Sequence, residues 1–168
     1  MNAVQLYRHL VGSDVVLEFN FYDNKFDPSN LVSRKVLTAM LESVHTSMTH
    51  LEVEYNDLML IDKLGGKAAD TLRFLGAAKD NMRENKSGDT VVSRTFRAEL
   101  TGERLSFFYE LNDISLLTHY RLMEGETDRV VYYFGQYLML RVPAEGEETF
   151  YDRLKAASVP YKVKEIVK

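Results

Sequence analysis

Glu42 and His45 form the one E-x-x-H pair in the chain, the spacing by which a helix sets a carboxylate and an imidazole on one face as metal ligands. A carboxylate-bridged centre needs a second such pair and two further glutamates, and the sequence supplies neither. His50, Glu54 and Asp57 recur at i, i+4 and i+7, and read as the polar flank of a helix turned away from its apolar side. The absence of Cys removes thiol nucleophiles and Cys-ligated zinc. No Ser stands in a G-x-S-x-G turn, and His45-Thr46-Ser47 has no matching second motif, since His119-Tyr120-Arg121 carries Arg where a hydroxyl residue is needed. Gly65-Gly66-Lys67 lacks the rest of a phosphate-loop frame. The reading is of no catalytic residue, no metal and no cofactor.

Charge offers a second kind of chemistry. The net charge is -4, yet residues 63–97 hold 8 basic against 4 acidic side chains. Lys79, Arg83 and Lys86 are spaced to share a helical ridge, and Arg94 and Arg97 follow, so five cations can converge on a phosphate-bearing partner. Long basic side chains beside an apolar stripe also simply cover it with their stems. Nucleic-acid binding is therefore the alternative and not the favoured function. Phe107-Phe108-Tyr109 and Tyr132-Tyr133-Phe134 with Tyr137 supply rings that can stack bases from a sheet, but the sheet-type RNA-binding run is missing and packing explains them.

The elements behind these residues begin with a run from Ser29 to Leu64 that lacks Gly and Pro. Within it Leu37, Leu41, Val44, Met48, Leu51, Tyr55 and Leu58 step by 4 and 3 in turn, the seam a helix shows to a partner helix in a coiled coil. As one helix, capped by Ser29 or Asn30, it would span roughly 54 Å, more than a compact domain of this length needs. Leu51, Val53 and Tyr55 also alternate with Glu52 and Glu54, so a break into a hairpin near Asn56-Asp57 competes. Gly65-Gly66 ends the run, and a second helix through Ala68, Leu72, Leu75, Ala78 and Met82 folds back on it, followed by a loop over 84–89.

Around this helical hairpin the pattern predicts a short helix over Asn2–Val11, a strand over Val15–Tyr22, and a β-hairpin of Thr90–Leu100 with Leu105–Leu111. Further strands are expected over Leu116–Met123 and Arg129–Val142, the latter turning at Gly135-Gln136, then a helix over Glu147–Ala157 and a final strand over Pro160–Lys168. The 168 residues, 45% hydrophobic, suit one α+β domain over 1–168: a helix-rich part at about 28–86 packed on a largely antiparallel C-terminal sheet at about 90–168. No apolar stretch reaches membrane-spanning length and the N-terminus lacks signal-peptide features, so a cytoplasmic protein is expected. The expected function is non-enzymatic: an adaptor, assembly factor or regulator that binds a protein partner through the seam and self-associates.

Overall fold

A computed structural model describes residues 3–166, and its centre is one nine-stranded sheet. The strands are β1 (Val4–Val11), β2 (Asp14–Asn20), β3 (His50–Tyr55), β4 (Met82–Ser87), β5 (Thr90–Glu99), β6 (His119–Glu124), β7 (Thr127–Tyr133), β8 (Tyr137–Pro143) and β9 (Tyr161–Glu165). They lie in the order β4-β5-β3-β6-β7-β8-β2-β1-β9. Every neighbouring pair is antiparallel except β1 with β9.

The registers align one apolar row across all nine strands: Met82, Phe96, Val53, Tyr120, Tyr132, Leu138, Phe19, Leu6 and Val163. Because alternate residues face opposite sides, this row from Met82 to Leu6 and its parallel through Leu51, Leu122, Val130, Leu140 and Leu17 give one face of the sheet to the core, while Val163 on the edge strand stays exposed. The helices cover that face. They are α1 (Phe21–Asn24), α2 (Leu31–Val44), α3 (Asp57–Leu64), α4 (Ala68–Phe74), α5 (Gly102–Tyr109) and α6 (Glu147–Ala156). Strands β2 and β3 are separated by three others, so α2 must cross the sheet, burying Val36, Leu37, Met40, Leu41 and Val44 beneath it and packing beside α6. Asn30 starts α2, its Oδ1 accepting from the Val32 N–H at 2.8 Å.

The single long helix and its coiled-coil seam are not formed; the chain makes α2, then β3, then α3. At the end of α2 the chain turns instead of continuing, since Ser47 donates both its backbone N–H and its Oγ to Val44 O, each at 3.0 Å, an i+3 contact in place of the helical i+4 bond. The alternation of Leu51, Val53 and Tyr55 then wins, because β5 and β6 offer β3 a hydrogen-bonding partner on each side. The fold is thus a mixed sheet with short helices, starting on strands, instead of an N-terminal helical hairpin on a C-terminal sheet.

Three further elements differ for similar reasons. The segment expected to be the first helix is β1, turned into β2 at Gly12 with φ +60°, because Val4 and Leu6 face the core only with period 2. The expected loop at 84–89 is mostly β4, paired to β5. Residues 105–111, expected as a strand, lie largely in α5, whose start Thr101 caps by accepting from Arg104 N–H at 3.2 Å. Strands β2, β5, β7 and β8 and helix α6 fall where the spacing puts them. Asn2, Val167 and Lys168 lie outside the described residues. Among those described, no helix is long and apolar enough to cross a membrane.

Candidate functional site

The sheet face opposite the helices carries the polar side chains of alternate positions. One row across it reads Arg83, Thr95, Glu54, His119, Tyr133, Tyr137 and Asn20. Glu54 sits near its centre. Its Oε2 accepts from Ser93 Oγ at 2.7 Å, and its Oε1 lies 3.3 Å from His119 Nδ1. Asn85 Nδ2 donates to Ser93 Oγ at 3.0 Å and to Thr95 Oγ1 at 2.9 Å, fixing the hydroxyl that approaches the carboxylate. Rings hold the imidazole in place: Tyr133 meets it edge-on at 5.0 Å and Phe134 at 5.1 Å.

The order of contacts decides what this network can do. A nucleophilic triad puts the imidazole between hydroxyl and carboxylate, so that the hydroxyl proton passes to nitrogen. Here the carboxylate is in the middle, and Ser93 gives its hydrogen bond to Glu54. The arrangement orients Glu54 and leaves it as a fixed acceptor and negative charge. Among the described residues no three His, Asp or Glu side chains gather closely enough to hold a metal ion.

Glu54 also lines a cleft of about 540 Å³ at the strand ends, with Ser93, Thr118, Asn56, Met59, Val92 and Phe134. That volume lies in the range of pockets that enclose a ligand. Tyr132 reaches it from the core side, and burial, its main influence, pushes the phenol up to about 12, so the hydroxyl stays protonated. Lys63 is committed at the rim, its Nζ donating to Ser115 O and Oγ at 2.5 and 3.0 Å.

Phe134 reaches the cleft at a conformational cost. It occupies φ +42° and Gly135 φ +71°, the two central positions of the turn between β7 and β8, which is closed by Gln136 N–H donating to Tyr133 O at 2.8 Å. Both central positions of such a turn favour Asn or Gly, since a Cβ at positive φ crowds its own carbonyl. The ring nevertheless stays 42% exposed. Phe134→Asn should raise stability by about 1 kcal/mol by relieving this strain, a gain of about 2–4 °C in Tm. Calorimetry checks it; an unchanged or lowered Tm would mean that the ring's packing outweighs the strain.

The seam residues lie mostly inside the chain. Leu37, Leu41, Val44, Met48, Leu51 and Tyr55 are buried, split between α2, the following turn and β3, and their surfaces are spent on this chain's own core. Leu58 alone is open, at 79% exposure on α3. The five cations do not form a helical ridge either. Lys79 is in a single 3-10 turn, Arg83 and Lys86 are on β4, and Arg94 and Arg97 are on β5, with Arg94 facing the opposite side from Arg97. Three are neutralised locally: Arg83 by Glu52 at 3.3 Å, Arg94 by Asp57 and Glu84, and Arg97 by Glu126 at 2.9 Å.

Glu42 and His45 do not act together, since the Glu42 carboxylate pairs with Arg153 at 3.0 Å and His45 Nδ1 meets the Glu42 backbone carbonyl at 2.9 Å. Sequence reasoning missed the set Glu54, Ser93, Asn85 and His119, which strand order assembles from four strands. The one local signal was Phe134 beside Gly135, a large residue where a tight hairpin turn favours a small one. No family model, no curated protein and no solved structure matches the chain.

Proposed function

We propose that the protein is a non-enzymatic adaptor or regulator that holds an apolar segment of a partner protein, flanked by a basic residue, in the cleft beside Glu54. The observation that supports this most is where apolar surface is left open. Met59, Val92 and Phe134, three of the eleven exposed large apolar side chains among the described residues, line the cleft together. Contiguous open apolar surface of this kind marks interaction sites. The cleft is lined by one carboxylate, Glu54, and one ammonium, Lys63; Lys63 is engaged by Ser115 and lies 3.8 Å from Asp113, which leaves Glu54 as the acceptor a partner meets, hence the basic flank. A non-enzymatic role agrees with Ser93 donating to a carboxylate and not to an imidazole.

The test is selection of a random peptide library against the whole chain. Enriched peptides are expected to combine large apolar residues with a neighbouring Lys or Arg. Met59→Asp or Val92→Asp should weaken them by at least about tenfold, about 1.4 kcal/mol, and Glu54→Gln should weaken the basic ones selectively. Peptides that bind these variants as well as the parent, or a library that yields no enrichment, would sink the reading. Sedimentation that shows a dimer abolished by Leu58→Glu would replace the partner by a second copy of the chain.

A further inference from the structure

We infer that the cavity bounded by α2, α6 and the residues following α5 is a binding site for a small monocarboxylate with an apolar body, and that Arg34 is its receptor. The cavity has a volume of about 430 Å³ and is separate from the Glu54 cleft. Its ionic groups are Arg34, Lys35 and Arg153 against Glu42 and Glu110, one positive charge in excess. Two of the cations are already engaged. Arg153 Nε pairs with Glu42 at 3.0 Å, and Lys35 Nζ donates to Ala157 O, just past the end of α6, at 2.9 Å.

Arg34 is different. Its Nε is buried and has no hydrogen-bond partner, alone in this among the side-chain nitrogens and oxygens of the described residues. Buried polar atoms are nearly always satisfied, and a charged donor left without an acceptor is among the costliest exceptions. A guanidinium presents its Nε–H and one Nη–H as a planar fork, which a carboxylate matches with two parallel hydrogen bonds.

The rest of the cavity sets the ligand's size and charge. A single excess positive charge suits a monoanion better than a dianionic phosphate, and Leu31, Ala39, Leu111 and Ala157 provide apolar wall for the remainder of the molecule. Tyr109 lines the same space, and burial, reinforced by Glu42 and opposed by Arg153, raises its phenol, which therefore stays protonated as a further donor.

Titration of the ¹⁵N-labelled chain followed by NMR tests the assignment, with the Arg34 Nε–Hε signal identified by its loss in Arg34→Lys. Benzoate should shift that signal and the backbone signals of Tyr109 and Ala157 saturably, whereas benzamide, of the same shape without the charge, should bind at least about tenfold more weakly. Arg34→Gln should abolish the benzoate response while retaining the dispersed spectrum of the folded chain, and Arg34→Lys, which keeps the charge and loses the fork, should weaken it. A non-saturable response, or one undiminished in both variants, overturns the site. Tighter binding of inorganic phosphate than of benzoate overturns the monocarboxylate class.

Discussion

Tyr120→Ala is expected to remove about 3–5 kcal/mol of stability, a large share of the roughly 5–15 kcal/mol that a domain of ordinary stability has. Tyr120 lies on β6 in the middle of the apolar row and is fully buried. Its ring stacks on Tyr132 at 5.2 Å and 24° and meets Phe108 at 5.0 Å, joining the sheet to α5. Its hydroxyl donates to Ile114 O at 2.9 Å, a bond that burial protects by holding the phenol well above its ordinary pKa. The Ala variant leaves a cavity between sheet and helix and strands that carbonyl. Tyr120→Phe keeps the ring and should cost only about 1–1.5 kcal/mol. Urea denaturation distinguishes the two, as a lowered midpoint at constant slope. Equal losses for Ala and Phe would show that the hydroxyl, and not the ring, carries the position.

The second large effect is electrostatic. Asp14 Oδ2 lies 2.8 Å from Arg141 Nε and 3.4 Å from Arg129 Nη1, and Arg129, only 9% exposed, also pairs with Glu124 at 2.9 Å. The hydrogen bond from Arg141 is the main cause of a lowered Asp14 pKa; burial opposes it and Arg129 adds to it. Asp14→Asn leaves two guanidiniums with their shared carboxylate gone and should cost about 3 kcal/mol at neutral pH. A carboxylate whose folded pKa is depressed stabilises the fold above its unfolded value of about 3.9, and that contribution disappears as pH falls through the folded value. Glu147, lowered chiefly by Arg8, loses its share in the same direction. The gap between parent and Asp14→Asn should therefore be full at pH 7 and shrink below pH about 4. A gap independent of pH would assign the loss to packing.

The sequence made some of this legible because local and tertiary preferences agree. Leu17 and Phe19 alternate with Glu18 on a strand buried on one face, Asn30 caps the helix it precedes, and Glu147-Glu148 with Arg153 and Lys155 mark the two ends of α6. The seam misled because two periods coincide. Leu37, Leu41 and Val44 obey the helical repeat of α2, and Leu51 and Tyr55, placed by a period of 2 on β3, fall by accident on its continuation. What decides between the periods is β5 and β6, strands made of residues about 40 and 70 positions later, and no local window contains them. The candidate site was hidden for the same reason. Glu54 and His119 are 65 residues apart and become neighbours only through the pairing of β3 with β6.

The parallel pairing of β9 with β1 also has a consequence for how the molecule comes into being. Val4 pairs with Tyr161 and Arg8 with Glu165, while Arg8 also binds Glu147 and Glu165 through its guanidinium at 2.6 and 2.7 Å. A ribosome that has just made β2 has supplied one neighbour of β1, and its other edge stays bare until more than a hundred further residues have emerged. Loop closure over such a span is slow, so the nascent chain carries an unsatisfied ladder of amides and carbonyls on β1 until β9 has emerged. Of all the pairings in the sheet this one closes over the longest stretch of chain, and a factor that shields β1 during translation would act on the ladder that stays open longest.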